Sequence, residues 1–362
     1  MVSSLVYIAM LAALTCILPT AGCQAGDHSS PNPDHGRHPH QKKDFAIAIH
    51  GGAGVISRDI DPEVRDGYLA SLKEAARIGR DLLDQGGSSL DAVEMVIRFL
   101  EDDERFNAGK GSVFTSEGTH ELDASIMDGR DLNAGAVAGV RTVKNPISLA
   151  RLVMEQSRHV MFSGDGAEMF ADEMNVDRVD NSWFGTERRL RQLENARRQQ
   201  VHAQGPPERS ITEHAQEQSE HSQARSFRFG TVGAAALDRQ GNLAAGTSTG
   251  GMTNKMPGRI GDSPVIAAGT YADNNSCAVS ATGHGEKFIR NAVAYQICAI
   301  MEYQGASLEE AAQIVIHEKL DKGDGGIIAV DKWGNIVFEF SSPGMFRAAA
   351  DSEGLFEAAI WD

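Results

Sequence analysis

Residues 222–251, SQARSFRFGTVGAAALDRQGNLAAGTSTGG, hold the transition on which the fold turns. Upstream of Gly230 the chain is polar and lacks an apolar period. From Thr231 it alternates small and apolar residues (TVGAAAL), turns at DRQGN and continues as LAAGTST. Alternation of this kind marks strands, and Gly241 supplies the positive backbone angle that a tight hairpin turn needs. A second stretch, GGIIAVDKWGNIVFEF at 325–340, repeats the design, with DKWGN as its turn and Gly334 in the equivalent place. Between the two hairpins lie a long helical pattern, GEKFIRNAVAYQICAIMEYQG, and a shorter one, SLEEAAQIVIHEKL.

The N-terminal half is built the same way. In DFAIAIHGGAGVI, Phe45, Ile47 and Ile49 alternate with alanines as in a buried strand that ends at Gly51-Gly52-Ala53-Gly54. The run DPEVRDGYLASLKEAARIGRDLLDQGG predicts a helix capped by Asp61, with Pro62 in its first turn. Its apolar stripe is Val64, Tyr68, Leu72, Ala75 and Leu82, and it stops at Gly86-Gly87. A second helix, SSLDAVEMVIRFLEDD, is capped by Ser88 or Ser89 and turns Leu90, Val93, Ile97 and Leu100 inward. Short strands around 113–115, 122–127 and 136–140 precede a helix after Pro146. Sheet with helices, followed by sheet with helices, predicts an α+β chain closed as a four-layer αββα sandwich.

The 362 residues, 41% of them hydrophobic, are enough for one large core. The formal net charge of -16 argues against a nucleic-acid binder, which would show a basic face. Residues 1–23 begin with an uncharged apolar run, Leu5 to Leu18, too short for a comfortable membrane span and suited to a signal segment. LPTAGC, ending at Cys23, is similar to a bacterial lipoprotein cleavage site, so the expectation is an exported, periplasmic protein, either free or anchored by a lipid on Cys23. Residues 24–43 carry Pro, Gly and several histidines. A His-rich tract can bind metal, but the simpler reading is a flexible tether. The four cysteines include no CxxC, which speaks against a zinc site or a disulfide framework. Residues 187–229 are dense in Gln, Glu, Arg, Ser and His. The early part admits a helix, whereas the remainder buries too little apolar surface to offset its ordering entropy and is expected to be a mobile linker.

A buried strand that starts on threonine, joined by glycine to such a linker, invites a specific chemistry. Cleavage of Gly230–Thr231 would make Thr231 an N-terminal residue. Its free amine, with a reference pKa of about 8, would serve as base for its own hydroxyl. Gly230 tolerates the strained backbone from which that hydroxyl could attack its carbonyl. Read alone, FGTVG fits an ordinary strand start equally well. Downstream, Arg259 and Asp262 pair a planar fork with a point charge, as the α-carboxylate and α-ammonium of an amino acid require; a surface ion pair in a turn has the same composition. In SATGHGEKFIR, Thr282 and the amides after it offer an oxyanion hole at a helix start, or simply a glycine-rich helix entry.

Taken together, IHGGAGVI, FNAGKGSVFT, HELDASIMDG, GTVGAAALD, NLAAGTSTGGMTNKMPGRIGDSP and ATGHGEKFIR resemble the plant-type isoaspartyl peptidase/L-asparaginases, which are N-terminal nucleophile hydrolases. The resemblance runs from about Asp44 to the C-terminus and is most specific over 231–290. It implies the αββα sandwich and an autoproteolytic amidohydrolase of β-aspartyl dipeptides and L-asparagine, with residues 44–230 and 231–362 as its α and β chains. By the same resemblance Thr231 is nucleophile and, with Gly230, the cleavage site, and Thr249 activates it. Arg259 binds the substrate α-carboxylate and Asp262 its amine. Thr282 and Gly283 hold the oxyanion, Gly285 lines the pocket, and Asn107 lies beside the site. LEDDERFNAGK resembles a sodium loop whose ligands are main-chain carbonyls, here those of Leu100, Glu101, Asp103, Phe106, Ala108 and Lys110. No cofactor is expected for catalysis, and two cleaved αβ units are expected to assemble as a dimer. His284 stands where small or hydroxyl residues are frequent in the family. Two alternatives stay open: a glycosylasparaginase of the same fold, and a non-catalytic exported binding protein, which would remain uncut.

Overall fold

The computed structural model describes residues 42–203 and 230–361. The export segment, the tether up to residue 41 and the linker from 204 to 229 lie outside the described residues. Twelve strands form two sheets among those described. The larger runs in the order β12-β11-β1-β5-β6-β2-β3-β4, the smaller β10-β9-β8-β7. Its centre is made by β1 (Ala46–Gly54), β5 (Val232–Leu237), β6 (Leu243–Thr249) and β2 (Leu122–Asp128), all antiparallel. Around them lie β3 (Ala134–Val140), β4 (Met161–Ser163), β11 (Gly344–Asp351) and β12 (Phe356–Ala359); only β3 and β4 pair in parallel. The smaller sheet holds β7 (Thr270–Ala272), β8 (Cys277–Gly283), β9 (Gly325–Asp331) and β10 (Ile336–Phe340).

The period-two alternation of β1 explains what packs where. Ile47 and Ile49 share a core with α1 (Pro62–Asp84), α2 (Ser89–Asp102) and α3 (Pro146–Gln156), through Leu72, Val93, Ile97 and Leu149. Ala46 and Ala48 join a second cluster with Ala235, Ala245, Ala278, Ile328 and Val330, drawn from both sheets. The larger sheet contributes mainly alanines here, which leaves room for Ile328 and Val330 of the smaller sheet. A third cluster joins the smaller sheet to α7 (Val293–Gln304), α8 (Leu308–Gln313) and the π-helical turn Ile314–Lys319 that follows, and includes Val279, Ile297, Val315 and Ile327. Each fully buried Ile, Leu or Val contributes about 1.5–3 kcal/mol relative to its exposed state.

The predicted caps form. Asp61 accepts from Glu63 N at 2.8 Å, and Ser88, rather than Ser89, accepts from Asp91 N at 3.1 Å. The α1 stripe differs at its ends: Val64 faces solvent and Leu83, not Leu82, is fully buried. Residues 113–115 make no strand, only an isolated bridge between Thr115 and Lys255. Glu187–Ala203, the early part of the polar run, is a helix, α5, and follows α4 (Gly164–Glu173). It is docked by Arg189, whose Nε donates to Gly111 O at 2.5 Å. The long helix expected after Gly285 is broken into α6 (Gly285–Asn291) and α7 by Ala292, whose φ of 45° lies in the left-handed region.

Both predicted hairpins form, but in different sheets. In each, the turn aspartate accepts two backbone amides: Asp238 from Gln240 and Asn242, Asp331 from Trp333 and Asn335. A third turn of the same chemistry joins β11 to β12, with Asp351 accepting from Glu353 and Leu355. The expectation about cysteines is overturned. Cys277 on β8 and Cys298 on α7 are joined by a disulfide, with Cα atoms 5.5 Å apart. The 21-residue separation conceals the pairing, because only the packing of helix on strand brings the two together.

Candidate active site

Thr231 sits at the entrance to β5, almost wholly buried. Its hydroxyl donates to Thr249 Oγ1 at 3.1 Å, and Thr249 Oγ1 also accepts from Gly251 N at 2.9 Å. The hairpin is what brings the two threonines together: β5 and β6 pair Val232 with Ser248, leaving Thr231 and Thr249 at the open end. Gly230 packs on Asn107, where a β-carbon would meet the Asn107 Cβ at 3.2 Å. Asn107 is itself locked: Nδ2 donates to Gly251 O at 2.7 Å and Oδ1 accepts from Val113 N at 2.9 Å. Its amide therefore fastens the loop at 250–251 to the loop after α2, beside the Gly230–Thr231 peptide.

Two residues of the IHGGAG stretch complete this end of the site, though no role was expected of them: β1 runs on through the glycines, with a bulge between His50 and Gly52, instead of ending in a turn. Gly52 has a φ of 109°, and a β-carbon there would stand 2.5 Å from Gly230 Cα and 3.3 Å from Thr231 N. His50 Nδ1 donates to Thr231 O at 3.0 Å, and its Nε2 accepts from Ser280 Oγ at 2.9 Å. Burial pushes the imidazole down to about 3, so the ring is neutral and this tautomer follows from its partners. Beyond Ser280 the buried hydroxyls continue through Thr247 at 2.7 Å to Thr270, tying the two sheets together behind Thr231.

Thr282 is the last residue but one of β8 and is fully buried. Its Oγ1 accepts from Ala53 N at 3.2 Å, which leaves its own proton to donate elsewhere. At Gly283 a β-carbon would lie 2.2 Å from Asp324 O, so only glycine fits.

Arg259 and Asp262 come together across Gly285. A β-carbon on Gly285 would stand 2.8 Å from Asp262 Oδ1 and 2.9 Å from Arg259 Nη2, so this glycine keeps open the space between the two charges. Asp262 is buried, and burial pushes its carboxyl up to about 7. Its Oδ2 makes no hydrogen bond among the described residues. A buried acceptor without a partner costs stability unless a donor reaches it, and an ammonium group would be such a donor. Two further buried charges lie nearby. Asp123 stands opposite Thr249 in the β2–β6 register, with its carboxyl raised by burial, and Lys255 donates to Glu121 O at 2.8 Å. Neither stood out in the sequence, because nothing in HELDAS or MTNKMP shows that these charges are buried.

The residues of the 100–110 loop are also adjacent to one another. Lys110 N donates to Glu101 O at 2.7 Å, and Gly109 and Gly111 both have positive φ. A β-carbon on Gly109 would stand 2.3 Å from Glu101 O; one on Gly111 would stand 2.3 Å from Glu104 O and 2.6 Å from Phe106 O. Carbonyl oxygens thus crowd the inside of the loop.

Comparison with known proteins gives a consistent result. Residues 43–360 match a family model described as asparaginase. The chain is 50% identical over 307 residues to an isoaspartyl peptidase of Escherichia coli (strain K12), covering 83% of this chain and 91% of that one. It is 44% identical over 325 residues to a probable isoaspartyl peptidase/L-asparaginase 2 of Arabidopsis thaliana, covering 88% and 99%. To an isoaspartyl peptidase/L-asparaginase of Homo sapiens it is 43% identical over 307 residues, covering 84% and 92%.

Proposed function

This chain belongs to the asparaginase family, and from that membership and the geometry around Thr231 we propose that it is a self-cleaving amidohydrolase of β-aspartyl dipeptides and L-asparagine. One observation carries the reading: the Thr231 hydroxyl rests on Thr249 while the Gly230–Thr231 peptide is lodged against Gly52. In maturation, Thr231 Oγ1 attacks the Gly230 carbonyl carbon. The peptide C–N bond breaks as the ester C–O bond forms, and the hydroxyl proton passes to the departing amine. Water then hydrolyses the ester, leaving the Gly230 carboxylate and a free Thr231 amine.

In turnover that amine takes the Thr231 hydroxyl proton as the oxygen attacks the side-chain amide carbon of the substrate. The Thr282 hydroxyl and Gly283 amide hold the oxyanion, where a preorganised donor is worth about 3–4 kcal/mol of barrier. The leaving amine departs with the proton, and water resolves the β-aspartyl ester to L-aspartate. Arg259 and Asp262 hold the α-carboxylate and α-ammonium throughout, with Gly285 leaving room for the α-carbon.

The three apolar clusters support a four-layer αββα arrangement for this reading. The loop at 100–110 suits a sodium ion held on the carbonyls of Leu100, Glu101, Asp103, Phe106, Ala108 and Lys110. Those of Leu100 and Glu101 come from the last turn of α2, where helix carbonyls lack intrahelical partners, and hard cations take oxygen ligands. When bound, the ion would contribute rigidity to the loop that carries Asn107 and no chemistry to the reaction. The disulfide supports an oxidising compartment and hence export. Assembly of two cleaved αβ units completes the proposal.

The test is direct. The smaller fragment of purified protein should begin Thr-Val-Gly-Ala, and β-Asp-Leu and L-asparagine should be turned over in preference to a glycosylated asparagine. A single full-length band in active material, or a fragment beginning elsewhere, overturns the proposal.

A further inference from the structure

Arg259 is not alone at the mouth of the pocket. Its Nε and Nη2 donate to Glu286 Oε1 and Oε2, both at 3.0 Å, in a parallel fork. Glu286 lies one residue past Gly285, in the first turn of α6, and its Oε2 is also 3.3 Å from His284 Nε2. Guanidinium has five donors, and a side-on fork through Nε and Nη2 uses only two of them. The remaining edge, both Nη1 protons and one on Nη2, can take a second carboxylate in the same bidentate manner.

The surroundings show which edge stays open. A β-carbon would stand 2.8 Å from Nη1 at Gly261 and 2.9 Å from Nη2 at Gly285. Gly261 thus lies over the guanidinium face, Gly285 and Gly251 (where a β-carbon would stand 3.4 Å from Nη1) border the outer edge, and Asp262 Oδ1 lies across Gly285 from it. Arg259 is largely shielded, whereas Glu286 and His284 are each about two-fifths exposed. Glu286 therefore grips the solvent side of the guanidinium and leaves the pocket side bare. A long side chain gripped in this way loses less freedom when a ligand arrives, which is how preorganisation raises affinity.

We propose that Glu286 is the positioning residue that aims the outer edge of Arg259 at the substrate α-carboxylate, with His284 bracing Glu286 at the same Oε2. The inference rests on the head-group reading given above and assigns the preference for a free α-carboxylate to an ion pair in place of Arg259 alone. It makes the substitution of His284 for a small residue a matter of support for the head-group site, outside the chemistry at the nucleophile.

The experiment compares the wild-type full chain with Glu286→Gln, which keeps the side-chain length and loses the charged fork. Three readings are taken: division at Gly230–Thr231, KM and kcat for β-Asp-Leu, and the Kd of L-aspartate. A fourth is KM for the same dipeptide with its aspartyl α-carboxylate capped as a primary amide. The variant should divide normally, keep kcat, and raise KM for β-Asp-Leu and Kd for L-aspartate about tenfold, the scale of one charge-assisted hydrogen bond. KM for the capped dipeptide should not move. An unchanged or lower KM and Kd, or an equal rise for both dipeptides, overturns the inference. L-aspartate binding needs no turnover, so that arm decides the role of Glu286 even if neither dipeptide is hydrolysed. Absence of aspartate binding by both proteins would overturn it together with the head-group site.

Discussion

Gly52 lies against Gly230 so closely that a single methyl group on the former would stand 2.5 Å from the Cα of the latter. The two residues are far apart in sequence and meet because β1 and β5 are neighbours, with His50 opposite Gly233 in the last pair of their register. The positive φ of 109° at Gly52 adds backbone strain to any replacement. Gly52→Ala should therefore displace the Gly230–Thr231 peptide and leave the chain uncut. Denaturing electrophoresis would show one full-length band, with circular dichroism confirming that the fold is kept; normal division would disprove the role of this contact.

Thr249→Val keeps the shape of the side chain and deletes the oxygen that receives both the Thr231 hydroxyl and the Gly251 amide. The expected result is a fall in kcat of about a hundredfold, the scale for losing one group that manages a proton, with KM little changed. Steady-state kinetics on matured protein decides it. A variant as fast as the wild type would remove Thr249 from the mechanism.

Asp262 supplies a pH dependence. Burial holds its carboxyl up at about 7, so the fraction carrying the negative charge grows as pH rises through that value. L-Aspartate, whose ammonium stays charged over this range, should bind more tightly at pH 8 than at pH 6, following one ionisation. Calorimetric titration at several pH values would show it, and a flat profile would place the ammonium elsewhere.

Gly285→Ala separates maturation from substrate binding. Its methyl would stand 2.8 Å from Asp262 Oδ1 and 2.9 Å from Arg259 Nη2, within the space between the two charges. Self-cleavage, which needs neither charge, should proceed, while KM for β-Asp-Leu rises at least about tenfold. Failure to divide would show that Gly285 matters to the fold and not to the head group.

The disulfide can be tested by alkylation. Intact protein unfolded without reductant should leave Cys277 and Cys298 unmodified, and both should react after reduction. Closing a loop of this size contributes about 3 kcal/mol in the chain-entropy account, so reductant should lower the Tm of the folded protein. Labelling of both cysteines before reduction would show that the bond is not made.

The sequence by itself determined what depends on neighbours along the chain. Asp61 and Ser88 cap helices within three residues of themselves, Asp238 and Asp331 shape turns within four, and the alternation in β1 needs only consecutive positions. The glycine before Thr231, and the hairpin that returns from it to Thr249, are local in the same sense, so the candidate nucleophile and its hydroxyl partner were legible. Only the tertiary structure decided which strands share a sheet, that a left-handed Ala292 breaks the last long helix, and that Cys277 meets Cys298. It alone brought His50 to the carbonyl of Thr231 across 181 positions and laid Glu286 along Arg259. Such contacts arise from the packing of sheet on sheet and helix on sheet, and a one-dimensional pattern carries no measure of the distance between elements that it does not join.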